Sequence, residues 1–293
     1  MNLRKHTLLC GLVALLVSVG ALSGRTAVSQ RFAVTTAAAR PFEPGEELIY
    51  KAEISRSLLR KLDVATFRFV ATRVTNESGG NADSLGSVAL RLTGDVASQG
   101  FFTKLFNINF HQHIESTVDP DSLTVRKTVK LDEQGKRRRT SEAVFDQKTG
   151  KVTWTERDPN DPSREPRVVT TDFTGTVHDV VSAIYYLRTQ HLPVGKNFEV
   201  PVSDSGRVYQ LPVRVVEKKR MKTVLGSVPV VRVDPELFGS QGMISVKGQF
   251  SIWLTDDQRH IPVKAQIKTA QGMFDITLKK AWNQSDPLVQ KSE

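Results

Sequence analysis

The stretch Leu48-Ile49-Tyr50-Lys51-Ala52-Glu53-Ile54 places Leu48, Tyr50, Ala52 and Ile54 at every second position, with Lys51 and Glu53 between them. Successive side chains of a strand point to opposite faces, so this period of two predicts a half-buried β-strand. The same pattern recurs on both sides of it. Residues 64–75 carry Phe67 and Phe69 on one face and Val70 and Val74 on the other, and Val88, Leu90 and Leu92 alternate again. In 105–116, Phe106, Ile108, Phe110 and Ile114 face one way, and Asn107, Asn109, His111, His113 and Glu115 face the other. Further strands are predicted at 123–131, 141–146, 151–155, 166–171, 198–202, 207–216, 228–234, 246–255, 261–269 and 273–281. Turn signals separate them, among them Asp119-Pro120-Asp121, Glu133-Gln134-Gly135, Lys148-Thr149-Gly150, Asp204-Ser205-Gly206 and Asp256-Asp257. Strands this closely spaced make antiparallel meanders, not βαβ units.

One segment departs from the pattern. Thr176-Val177-His178-Asp179 has capping-box spacing, and Val177, Val181, Ile184 and Arg188 follow at helical intervals until Leu192-Pro193-Val194-Gly195 stops them. The fold class expected is mainly β: a large antiparallel curled sheet or open half-barrel packed on one α-helix at about 176–190. Ile184 is expected to be buried against the sheet. Composition agrees, since the 293 residues include 35 Val and 25 Thr against 25 Leu. Side chains branched at Cβ lose rotamer freedom in a helix and pack well on a pleated sheet. A hydrophobic content of 39% and a charged content of 25% exclude wholesale disorder and fibrous classes.

Working outward to the ends, Arg4 and Lys5 precede an apolar run from Leu8 to Leu22, with small residues after it. This reads as a secretory signal over 1–29, and the run is shorter than the ~20 residues a spanning helix needs. An uncleaved anchor is the rival reading. Residues 30–41 read as a flexible tether, 42–282 as a single β-rich domain and 283–293 as a polar tail. The expected location is the periplasm or cell envelope. Cleavage near Ser29 removes the sole cysteine, Cys10, and lowers the net charge from +10 to +7. No disulfide then holds the domain.

Several side-chain groups are candidates for chemistry. His111, His113 and Glu115 share one strand face, and imidazole with carboxylate suits zinc. The same face continues with Asn107 and Asn109, which reads as a solvated polar surface, and no fourth ligand can be named. Asp256-Asp257 with His260 is an acid–base pair or a hairpin turn. His178-Asp179 with Ser182 is part of a triad or a helix cap, and no nucleophile elbow accompanies it. No glycine-rich phosphate loop is present, so no cofactor is expected. Two basic clusters remain, one containing Arg137, Arg138 and Arg139 after a turn signal and one containing Lys218, Lys219 and Arg220. They are candidates for an anionic surface, or they are solvated charge that protects sheet edges. An exported protein meets envelope polyanions and not nucleic acid.

The stretch Pro44-Gly45-Glu46-Glu47-Leu48-Ile49-Tyr50 resembles the opening of a bacterial family of exported proteins, domain of unknown function 3108. Asp179-Val180-Val181-Ser182-Ala183-Ile184-Tyr185-Tyr186-Leu187-Arg188, then Gly195, and Ile252-Trp253-Leu254-Thr255-Asp256-Asp257 through Ile261-Pro262-Val263 extend the resemblance over roughly 42–281. It implies a β-rich envelope domain without catalytic residues to carry over. The function expected is a non-enzymatic module that binds an apolar or lipid-like ligand. The alternatives are an assembly partner of other envelope proteins that docks by its sheet edge, and a hydrolase with an unrecognised site.

Overall fold

The computed structural model describes residues 41–56, 59–75, 88–99, 109–239, 242–270 and 272–282. The predicted strand stretch 105–108, the expected signal over 1–29, most of the expected tether and the expected polar tail lie outside the described residues. Fourteen strands form one sheet: β1 Glu47–Arg56, β2 Leu59–Thr75, β3 Val88–Ser98, β4 Phe110–Val118, β5 Val125–Gln134, β6 Arg137–Asp146, β7 Lys151–Arg157, β8 Arg167–Asp172, β9 Asn197–Asp204, β10 Arg207–Thr223, β11 Gly226–Pro235, β12 Gly248–Thr255, β13 Pro262–Thr269 and β14 Gly272–Trp282. One helix, α1 Val180–Arg188, lies between β8 and β9. The expected fold class holds: a mainly β, antiparallel open half-barrel around a helix.

The order across the sheet is β8-β7-β6-β5-β4-β3-β2-β1-β14-β13-β12-β11-β10-β9. Each strand therefore pairs with its sequence neighbour, except at the centre, where β1 pairs with β14, and at the ends, where β8 and β9 are edges. The sheet curls until these ends approach. Thr171 Oγ1 of β8 donates to the Gly206 carbonyl at 2.6 Å, in the turn between β9 and β10. Gly206 has φ +75°, and a Cβ there would stand 2.8 Å from Val169 Cβ and 3.0 Å from Trp154 Cβ, so only glycine brings this turn so close. The segment before α1 closes the remaining gap: His178 N–H donates to Pro201 O, and Ser203 N–H donates to His178 O, along the outer edge of β9.

The helix is shorter than expected and begins later. Asp179, not Thr176, is its N-cap: the Asp179 carboxylate accepts from Ser182 N–H at 2.8 Å, and the Ser182 hydroxyl closes the box against Asp179 N–H at 2.9 Å. His178 is held in a β-bridge, and that pairing keeps residues 176–178 out of helical geometry. Val181 and Tyr185 pack with Ala71, Leu90 and Leu92 on the β2–β4 side, while Leu187 packs with Val200, Val213 and Leu254 on the β9–β12 side. Ile184 is half-buried and not fully buried as expected: Val181, Tyr185 and Arg188 are among the buried side chains of the helix, and Ile184 borders a space left between helix and sheet. Gly94 of β3 permits the close approach, since a Cβ there would lie 3.0 Å from Val181 Cγ2.

Candidate functional site

Beneath α1 the sheet leaves an apolar, partly open cavity of about 160 Å³. The helix contributes Val180, Ala183, Ile184 and Leu187, and the floor comes from β1, β2 and β9–β14, with Tyr50, Phe67 and Phe250 among its aromatic walls. The single charged residue in the lining is Lys264, whose Nζ is 2.6 Å from Asp275 Oδ1. Tyr50 donates its hydroxyl to Pro262 O at 2.8 Å, and burial raises its phenol well above the usual range. The cavity thus offers hydrocarbon contact and almost nothing for water to bond to.

The opposite wall is polar. Val129 of β5 is 40% exposed, while its neighbours Thr128 and Lys130 turn inward beside Asp179 of the helix cap. Asp132, on the same strand face as Lys130, is buried and accepts from Gln112 Nε2 at 3.1 Å, from Gln134 Nε2 at 3.0 Å and from Arg137. Burial works against its charge, but these donors outweigh it and hold the carboxyl below its ordinary value. Burial pushes the Lys130 ammonium down from its usual value and lifts the Asp204 carboxyl to about 6. No sequence signal marks this wall: alternation predicts Val129 inward and Lys130 outward, and the structure inverts them. Such conflicts between local pattern and burial concentrate at functional sites.

The residues singled out from sequence are distributed as follows. His111 and His113 sit on the outer face, where carboxylates of their own and neighbouring strands engage them: His113 Nδ1 lies 2.6 Å from Asp95 and Nε2 3.1 Å from Glu115, and His111 Nδ1 lies 3.2 Å from Glu133. Burial opposes a charged His113, yet these carboxylates raise its pKa, because only the imidazolium can donate from both nitrogens at once. Among the described residues no three His, Cys, Asp or Glu side chains are arranged to hold a metal ion. Arg137, Arg138 and Arg139 stand by the β5–β6 turn, paired with Asp132, Glu133 and Asp158. Lys218 pairs with Asp256, Lys219 with Glu217, and Arg220 donates to Ser227 O. Ser182 and Asp179 cap α1, and His178 stacks on Tyr186 with 4.2 Å between ring centroids. Burial lowers the His178 imidazole to about 4.

Sequence reasoning did not anticipate Arg188. Its guanidinium is completely buried and bonds bidentately to Glu46, at 2.5 and 2.9 Å, to Pro41 O at 3.0 Å and to Arg259 O at 3.2 Å. His260 Nδ1 in turn donates to the Arg188 carbonyl at 2.8 Å, and Asp257 accepts from the Arg259 and His260 amides. The segment before β1, the end of α1 and the β12–β13 turn are joined at this one side chain.

The architecture is that of an open, β-barrel-like protein with a helix in its mouth. A family profile, "Protein of unknown function (DUF3108)", matches residues 59–279, and the chain belongs to this family. The three stretches Pro44–Tyr50, Asp179–Arg188 and Ile252–Val263 meet at the Arg188 junction. No curated protein matches the chain. Among solved structures it is similar to a β-barrel-like protein of domain of unknown function DUF1849 from Brucella abortus, with 13% identity and a TM-score of 0.53 over 85% of this chain and 100% of that one. That likeness is one of fold. Two others are a protein described as exported, with a YmcC-like fold, from Bacteroides fragilis (6% identity, TM-score 0.31, 85% and 100% covered) and one described as a lipoprotein from Parabacteroides distasonis (8%, 0.30, 83% and 97%).

Proposed function

We propose that this is an exported, non-enzymatic protein of the cell envelope that holds an apolar, lipid-like chain in the cavity beneath α1. The observation that carries the reading is the cavity, about 160 Å³ and apolar in its lining apart from Lys264. Hydrocarbon walls offer dispersion contacts and almost no hydrogen bonds, so an aliphatic chain suits this cavity better than water does. Each methylene buried is worth about 0.8 kcal/mol. The basic residues Arg4 and Lys5 before the apolar run Leu8–Leu22 support export.

The test is calorimetric titration of the folded chain with 1-decanol. Saturable binding is expected, and Ala183→Phe, which fills the cavity from the helix side, should abolish it while leaving the fold intact by circular dichroism. Ile184→Phe serves the same purpose if the first variant misfolds. Folded wild-type protein that takes up no decanol would overturn the reading.

A further inference from the structure

Val180 lines two chambers at once. On one side is the apolar cavity. On the other is a smaller pocket of about 40 Å³, whose polar lining includes Thr128, Lys130, Ser141, Asp179, Ser203 and Asp204. The two chambers adjoin at Val180, and a chain that leaves the first past this side chain would enter the second.

The pocket's charged groups differ in what they already hold. Asp179 is committed to the fold: it accepts from Ser182 N–H and Oγ–H and from Thr128 Oγ1 at 2.5 Å. Asp204 accepts from Ser205 Oγ at 3.2 Å. The Lys130 ammonium makes no hydrogen bond or close ion pair with the described residues, and Asp204, Asp132 and Glu156 attract it only at longer range. An ammonium drawn out of bulk water without an acceptor is costly, and this compact donor suits a single anion. Its apolar surroundings, with Ile114, Phe145 and Trp154 in the same lining, strengthen any ion pair formed there.

We propose that the chain held in the apolar cavity ends in a carboxylate and that Lys130 receives it, so the ligand class is a single-chain aliphatic carboxylic acid. This rests on the reading of the cavity given above. The pocket has room for a small polar group such as a carboxylate, since its volume of about 40 Å³ compares with the ~10–15 Å³ that one water needs. Asp204 stands beside the incoming anion, and burial lifts its carboxyl to about 6. A second carboxylate raises it further, so entry of the ligand is accompanied by uptake of a proton that the two acids share.

Decanoate, 1-decanol and decyl phosphate differ only at the polar end, and titration of the full chain with each at pH 7.5 separates the outcomes. Wild-type protein is expected to bind decanoate at least tenfold more tightly than decanol and decyl phosphate. Lys130→Met, and Lys130→Gln as a second variant, should each remove the preference for decanoate and leave decanol binding unchanged. Equal affinity of the wild type for decanoate and decanol, tighter binding of decyl phosphate, or a decanoate preference that survives both variants would each overturn the role of Lys130. In all three of those cases decanol still binds, and the cavity reading stands. Failure of all three ligands to bind would overturn both.

Discussion

The Arg188 guanidinium joins the segment before β1, through Pro41 and Glu46, to the β12–β13 turn, through Arg259, so this residue works as a rivet. Removing one member of a buried ion pair leaves the other uncompensated and costs about 3–5 kcal/mol, whereas replacing both with apolar residues is far milder. Glu46→Ala is therefore expected to lose about 3–5 kcal/mol in urea unfolding, and Glu46→Leu/Arg188→Met to lose less than either single change. A loss below about 0.5 kcal/mol for Glu46→Ala would show that water reaches the pair. Asp204 gives the opposite case. Its pKa in the folded protein, about 6, is above its unfolded value, so the folded state binds more protons between about pH 4 and 6 and is penalised above that window. Asp204→Asn should raise stability by up to about 3 kcal/mol at pH 7.5, at 1.36 kcal/mol per unit of pKa, and the gain should fade as pH falls towards 4. Melting at a series of pH values decides it, and a gain that does not change with pH would count against a raised Asp204. Little of this was legible in sequence. Arg188 read as one position of an apolar stripe, and its partner lies 142 positions away in the chain. The histidines at 111 and 113 read as a polar face, which they are, but the carboxylates that engage them include Asp95 and Glu133 from adjacent strands.

At the scale of the element, alternation was enough to find the strands, because a sheet face that meets a core needs apolar residues at every second position. The limits were less legible. β10 runs to Thr223, well beyond the apolar pattern that ends near Val216, because Lys218 to Lys222 pair with β11 in water. Backbone pairing sustains a strand where side-chain patterning has stopped. The helix was recognisable by its period, but its start was not, since Thr176 and Asp179 both offer a cap and the bridge made by His178 decides between them. The seat of the helix depends on Gly94. Gly94→Val puts branched carbon into space that Val181 and Phe69 already occupy, and overpacking of this kind costs about 1–3 kcal/mol. Thermal melting should show that loss. An unchanged melting temperature would mean that α1 slides along the sheet without penalty.

At the scale of the molecule, antiparallel meanders could be inferred, and so could a helix on the inside of a curled sheet, because hairpin signals separate strand after strand and only one segment has a helical period. The order of the strands could not. Nothing in the period of β1 or β14 says that Glu47 lies opposite Trp282, yet this pairing makes one sheet of two meanders. It also has a kinetic consequence. Neighbouring hairpins close short loops, whereas the β1–β14 seam must bring together segments more than 200 residues apart, and loop entropy opposes that step until both are present. A chain that emerges from its N-terminus delivers β1 early and its second partner last. Until residues 272–282 arrive, β1 is an open edge in the middle of the future sheet. The slow phase of folding therefore belongs to this seam, and both meanders can assemble locally before the molecule is one body.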